Sequence, residues 1–437
     1  MEMLRGTKAR LVANGFNQKE GIDYKETLAL VAKMVTMRTL LVVAVDKGYR
    51  IEQLDINNAL LHGDLHEELG FKQSYVDTSL FTITYHGSFT TILVYVDDIL
   101  IVGKDPVFIS TIKKQLHTQL SIKDLGRLHY YLGIEFLRNS SGLSMTQRKH
   151  ALELLECADV LDSKPIATPM DPIIKLNSTD GYLLPDPSTY RTLVGKFLYL
   201  TITRPNLSFA AQALSQYSHS PRSSHFDVLM IVLRYIKLCP GQGLFFPTRN
   251  NLQFTTYCDS DWASCVTTRR SVLGSPEAED RALIDNTCEI SWLKSLLLDL
   301  QVTIPTPSLI MYDNVSTIAL ANNPIHHART KHIKIDCNFV RDKIKQGHIS
   351  PCFVPSKFQL ADILIKGLSR VLHYNCLSDL GICDPYTLPT CGGDNVTTQT
   401  ANPNTPKVTA ADPNTPTAQV QHLQRQATPS KMKILLH

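Results

Sequence analysis

The chain has 437 residues, room for about three domains at roughly 150 residues each, which excludes a single small binding module. Hydrophobic residues make up 43% and charged ones 19%, too much apolar matter for a wholly disordered protein. Lys plus Arg number 44 against 40 for Asp plus Glu, and the resulting +4 is too mild to argue for a nucleic-acid partner by itself. Apolar runs such as Leu40–Val45 fall far short of the roughly 20 residues a membrane span requires. The charged start, Met1–Arg10, has no apolar block and does not read as a signal peptide, so a cytosolic or nuclear setting is expected. The ten cysteines never form a C-x-x-C pair, which disfavours a zinc ribbon and leaves reduced, scattered thiols as the expectation.

In chain order, Met34–Lys47 predicts a helix with apolar residues on most faces and Gly48 at its C-terminal stop. A strand is expected over Tyr49–Ile56. Thr90–Val96 and Ile99–Val102 are β-branched apolar runs around Asp97-Asp98, a pattern that predicts a hairpin with both carboxylates at its tip. An isolated Asp-Asp pair is more often a solvated turn than a ligand set. Between buried strands, however, two adjacent ionised carboxylates are costly unless a cation accompanies them.

The stretch 164–187 is rich in Pro and predicts an extended linker. Beyond it, Gln253–Asp259 and Leu309–Asp313 each read as a strand ending in a carboxylate. Ser275-Pro276 opens a helix, with Ser at the N-cap and Pro at the first position. On that helix Leu283, Ile290, Leu293, Leu297 and Leu300 fall on one face together with Glu279, whereas Glu277 points about 160° away by the same helical geometry. Gln359–Asp362 begins a further apolar helical run. From 384 to 430 the sequence is dominated by Pro, Thr, Asn, Asp, Gln and Ala, and Asn402–Pro406 is echoed by Asp412–Pro416. A disordered tail that adds nothing to the fold is expected there.

Tyr95-Val-Asp-Asp98 followed by Ile-Leu-Ile-Val resembles the YVDD box of reverse transcriptases, and the wider pattern is similar to the Ty1/copia class of retrotransposon polyproteins. The resemblance runs through Lys8–Val12, Gly21–Tyr24, Leu54–Asp64, Lys123–Gly126, Leu132–Glu135, Tyr190–Gly195, Tyr199–Pro205 and Leu233–Tyr235, and it covers most of residues 8 to 370. It implies an α+β fold, with a right-hand polymerase palm remnant followed by an RNase H-like mixed α/β domain and the tail. The implied domains are 1–138 for fingers and palm, 139–250 for a thumb or connection region, 251–375 for RNase H, and 376–437 for the tail.

The resemblance further implies that Asp55 and Asp97, with Asp98 beside them, hold two Mg²⁺ ions for nucleotidyl transfer from deoxynucleotides onto a DNA primer paired to an RNA template. Lys8 and Arg10 would lie near the incoming triphosphate. Asp259, Glu279, Asp313 and Asp362 resemble the four-carboxylate site of RNase H, which acts on RNA–DNA hybrids with Mg²⁺ or Mn²⁺. Two interruptions stand against this pattern. The span from Asp55 to Asp97 is shorter than the family's, with a gap near 68–71, and two strands are absent near 270–275, which would leave the Asp259 strand as a bare sheet edge. Loss of polymerase activity is therefore expected. Two alternatives stay open, a non-catalytic nucleic-acid-binding remnant with basic surface at Arg329, Lys331, His332 and Lys334, and an unstable product of a decayed element.

Overall fold

A computed structural model describes residues 32–56, 70–119, 122–248, 254–259, 277–313, 334–386, 421–424 and 432–436, the backbone alone for 119, 277–281, 334–337 and the last two spans. Helix α1 (Met34–Asp46) stops where the sequence predicts, with Gly48 in the left-handed conformation at φ +66°. Residues Val35 to Val45 are all buried along it, as befits a helix that is apolar on most faces. The buried Arg38 guanidinium donates to the Ile202 carbonyl, which ties α1 to the turn after a later helix.

Strands β1 (Arg50–Ile56), β2 (Lys72–Gln73), β3 (Leu80–Tyr85), β4 (Ser88–Tyr95) and β5 (Asp98–Gly103), helix α2 (Pro106–Gln119) and strand β6 (Ile122–Arg127) follow. They build a six-stranded sheet in the order β2-β3-β4-β5-β1-β6. The β-branched residues of β4 and β5 place both strands in its buried interior. Strands β7 (Tyr130–Tyr131), β8 (Ile134–Arg138) and β9 (Gly142–Thr146) start a second sheet, completed by β10 (Gly243–Pro247) and β14 (Ile382–Cys383) in the order β14-β10-β9-β8-β7.

Between β9 and β10 lie helices α3 (Arg148–Cys157), α4 (Ser188–Leu200), α5 (Ser208–Ser215) and α6 (Ser223–Leu238), packed around their own core of Leu154, Leu193, Phe197, Leu214, Leu229 and Leu233. The Pro-rich stretch 164–187 is extended, and it is strapped onto these helices. Ile166 N–H donates to Arg234 O at 3.2 Å, Arg234 Nε to Lys164 O at 2.7 Å and Tyr217 Oη to Leu176 O at 3.0 Å.

The C-terminal part contains β11 (Phe254–Cys258), α7 (Glu277–Asp299), β12 (Ser308–Tyr312), α8 (Lys334–Lys345), β13 (Ile349–Phe353), α9 (Asp362–Ile365) and α10 (Arg370–Asp379). The predicted face of α7 is the observed one, since Leu283, Ile290, Leu293, Leu297 and Leu300 are all buried. Helix α7 docks on the first sheet, with Trp292 Nε1 donating to Val76 O at 3.0 Å and Ser74 Oγ to Asp299 at 2.6 Å.

Strands β15 (Gln421–Gln424) and β16 (Met432–Leu436) close a third sheet in the order β13-β12-β11-β16-β15. This corrects two expectations. The segment after Cys376 is not wholly disordered, because α10 and β14 continue through it with Leu377, Leu380 and Ile382 buried, and because 421–424 and 432–436 are strands. Nor is β11 a bare edge, since β16 pairs antiparallel with it from Phe254 opposite Leu436 to Cys258 opposite Met432. The physical reason is shared. An unpaired row of β11 backbone groups offers a ready template, and the Met432–Leu436 strand, apolar except for Lys433, fills it.

A fully buried polar cluster joins the helical region to α10. Arg204 donates from Nη1 to Cys239 O at 3.1 Å and from Nη2 to Gln242 Oε1 at 2.7 Å, and it lies over the Tyr235 ring. Tyr235 Oη meets His373 Nε2 at 2.9 Å. Burial, reinforced by the Arg204 charge, pulls His373 down from 6.5 to about 4.

Two expected outcomes follow. Deleting residues 421–437 uncovers β11 and is expected to lower the melting temperature by several degrees, and a superimposable melting curve would contradict the edge-covering role. His373 is neutral in the fold, so its contribution is complete above pH 6.5 and is lost as pH falls toward 4, at most about 3 kcal/mol for the shift given. Denaturant unfolding of His373→Gln is expected to lose less stability than wild type between pH 7 and pH 5. Parallel losses would refute the assignment.

Candidate functional site

Two acidic sets lie at strand ends. In the first sheet β1 runs between β5 and β6, and Asp55 stands opposite Asp98 on one side and Lys123 on the other. Ile56 N–H donates to Asp97 O at 2.7 Å, which ties the end of β1 to the hairpin turn. The predicted hairpin is present but its tip is shifted by one residue. Val96 and Asp97 form the turn, Asp98 is already the first residue of β5 and pairs with Tyr95, and Val96 takes φ +52°. The left-handed value is what a two-residue hairpin turn requires, because strand twist must be matched there.

Asp97 is exposed while Asp55 and Asp98 are half-buried. Burial first, and then the charges of Asp55 and Asp97, raise the Asp98 carboxyl above its ordinary value, with Gln53 acting the other way through a hydrogen bond. Tyr131, buried against this turn, is likewise pushed up by burial and then by the Asp98 and Tyr95 charges. Behind it Tyr199 Oη donates to Leu132 O. Leu132 and Gly133 both have positive φ, and a Cβ on Gly133 would meet Tyr199 Oη at 2.4 Å, so this turn needs glycine on both counts.

The second set is tighter. Strands β11 and β12 are parallel, with Thr255 opposite Leu309 and Tyr257 opposite Met311. Asp259 and Asp313 each follow the last residue of their strand, so parallel register brings both carboxylates to the same end of the sheet, one strand spacing of about 4.8 Å apart. Asp362, buried at the start of α9, joins them. One carboxylate oxygen from each of Asp259, Asp313 and Asp362 lies within 4.8 Å of the other two. The placement of α9 is fixed by Gln359, whose buried Nε2 donates to Cys258 O at 3.1 Å.

Like charges this close oppose ionisation. Burial, a hydrogen bond with Asp362, and the charges of Asp313 and Asp362 push Asp259 up to about 8, with Lys366 pulling weakly the other way. Lys366 Nζ stands 2.8 Å from Asp362 Oδ1 and 3.9 Å from Asp259 Oδ2. A donor set made of three hard carboxylate oxygens, one of them holding a proton against its usual tendency, fits a divalent cation such as Mg²⁺ or Mn²⁺.

The structure therefore brings Asp55, Asp97 and Asp98 to one end of the first sheet and closes Asp259, Asp313 and Asp362 into a triad. Glu279 lies in the first turn of α7, and its side chain is outside the described residues, as are Lys8, Arg10, Arg329, Lys331, His332 and the Lys334 side chain. Gln359 and Lys366 were not singled out by the sequence as site residues. For Lys366 a signal exists in its i,i+4 spacing from Asp362. Gln359 carries none, because its role depends on a strand about a hundred residues earlier in the chain.

A mixed α/β fold with these acidic sets is joined by a reverse transcriptase region at the sequence level. Residues 4–77 and 67–172 match the family described as Reverse transcriptase (RNA-dependent DNA polymerase). The Retrovirus-related Pol polyprotein from transposon RE2 of Arabidopsis thaliana is 37% identical over 454 residues, covering 88% of this chain and 31% of that protein. The corresponding polyprotein from transposon RE1 of the same plant is 36% identical, covering 86% of this chain and 30% of that protein. An uncharacterized mitochondrial protein of Arabidopsis thaliana is 39% identical over 225 residues, 93% of its own length. The chain belongs to the Pol polyproteins of copia-type retrotransposons, and it spans about a third of the length of the RE1 and RE2 proteins. The RE2 alignment is longer than this whole chain of 437 residues while drawing on 88% of it, so RE2 carries stretches with no counterpart here.

Among the described residues no helix is long and apolar enough to cross a membrane.

Proposed function

We propose that this chain is the reverse transcriptase and RNase H portion of a copia-type polyprotein, working inside the cell, whose remaining chemistry is metal-dependent hydrolysis of the RNA strand of an RNA–DNA hybrid. The observation that carries the reading is the closure of Asp259, Asp313 and Asp362 to within 4.8 Å at the end of two parallel strands. Three carboxylates held together at the cost of a strongly raised Asp259 pKa are poorly explained as caps or turn residues.

In this reading Asp259, Asp313 and Asp362, with Glu279 from the first turn of α7, hold Mg²⁺ or Mn²⁺. The bound ions would supply a lowered pKa for the attacking water and charge neutralisation for the scissile phosphate. Gln359 keeps α9 against the end of β11 and so sets the distance between Asp362 and Asp259. The parallel pairing of β11 and β12 sets the distance between Asp259 and Asp313.

The Tyr95–Asp98 hairpin and Asp55 belong, on the same reading, to nucleotidyl transfer from deoxynucleotides to a DNA primer on an RNA template, with Lys8 and Arg10 near the triphosphate. That activity is lost in this chain. The family match falls into two stretches that meet at residues 67–77, where the sequence places the missing segment, and relatives carry residues that have no counterpart here. The backbone register between Asp55 and Asp98 survives, but positioning of primer, template and nucleotide supplies most of the catalysis in phosphoryl transfer, and it needs the missing chain.

Two assays check these statements. Cleavage of a labelled RNA–DNA hybrid with Mn²⁺ is expected from the wild-type chain and should fall by at least about a hundredfold in Asp259→Asn, as removal of a transition-state contact does. No cleavage by wild type would overturn the hydrolytic reading. Primer extension on an RNA template with Mg²⁺ and all four deoxynucleotides is expected to be absent. Extension that disappears in Asp97→Asn would show the polymerase intact.

A further inference from the structure

The triad has a companion that the four-carboxylate pattern does not include. Lys366 follows the last residue of α9, and its ammonium contacts both Asp362 at 2.8 Å and Asp259 at 3.9 Å. It therefore bridges the Asp259–Asp362 pair. Its side chain is half-exposed, at 50%, whereas those of Asp362 and Asp259 are largely enclosed, at 9% and 16%.

The backbone at this point is fixed while the side chain is not. Lys366 N–H donates to Asp362 O at 3.0 Å, and the next residue, Gly367, lies so close to the Pro-rich strap that an added Cβ would stand 3.0 Å from Pro172 Cα. A four-carbon side chain on an anchored backbone, with one side open to water, can leave its partners without disturbing the fold.

We propose that Lys366 is a resident counter-cation for the Asp259–Asp362 pair, which holds the metal-free site together and has to withdraw before a divalent ion can bind. The inference rests on the divalent-ion reading of the triad for its second half only. Lys366 offsets the negative charge that the crowded Asp259–Asp362 pair holds in a partly desolvated place, so the metal-free fold loses stability without it. With Lys366 in place, the ion-competent arrangement is only a fraction of the population, and the apparent affinity is reduced by that fraction. Lys366 is thus a positioning residue, and it weakens ion binding in order to keep the ion-free site intact.

The test compares full-length wild type with Lys366→Met and Lys366→Arg, by thermal melting in a chelator and by Mn²⁺ titration followed calorimetrically. Lys366→Met is expected to melt lower than wild type in chelator and to bind Mn²⁺ several-fold more tightly. Lys366→Arg keeps the charge and should stay close to wild type in both. Equal or weaker Mn²⁺ binding by Lys366→Met overturns the displacement, because loss of a merely structural lysine would lower stability without tightening the ion. An unchanged melting temperature in chelator overturns the counter-cation role. If none of the three proteins binds Mn²⁺, the ion reading of the triad fails and takes the displacement with it, while the chelator melts still decide whether Lys366 holds the pair.

Discussion

Repulsion among three carboxylates is the constraint around which the C-terminal half is arranged. Asp259, Asp313 and Asp362 are three acids that water would let drift apart, and the fold holds them together by means outside the carboxylates themselves. Parallel pairing of β11 with β12 fixes two of them through backbone hydrogen bonds that are indifferent to charge. Gln359 fixes the third by reaching the last carbonyl of β11. Lys366 offsets part of the repulsion, and Asp259 accommodates the rest by holding its proton to about pH 8. A structural role alone would be better served by apolar residues at these strand ends, which is why the arrangement is read as a site.

The stability needed to hold such a site comes from packing at some distance. Helix α7 contributes buried leucines along one face and also docks on the first sheet through Trp292 and Asp299, so the two acidic regions share one continuous core. The Arg204, Tyr235 and His373 cluster ties the helical region to α10, shortly after the triad in the chain. Covering of β11 by β16 protects the strand on which Asp259 depends. These are separate devices, two of them made by side-chain contacts and one by backbone pairing.

Much of this was legible in the sequence, for physical reasons that can be named. Periodicity gave α1, the hairpin around Asp97 and the buried face of α7, because each has a strong repeat and a clear stop. The carboxylates at the ends of β11 and β12 were visible as apolar runs that terminate in Asp. The tip of the hairpin was misplaced by one residue, since Val is a poor candidate for a left-handed turn and only the tight register with β5 forces it there. The C-terminal strands were missed because composition over a long window conceals the short apolar run Ile434–Leu436, and because their value depends on an exposed edge elsewhere. The links made by Gln359, Arg204 and His373 are contacts between distant segments, which local pattern does not encode.

Calorimetric titration of Mn²⁺ into the full-length chain and into Asp259→Asn tests the central claim most directly. A saturable binding event in wild type that is lost in the variant is the predicted result. Identical responses from the two proteins would contradict it.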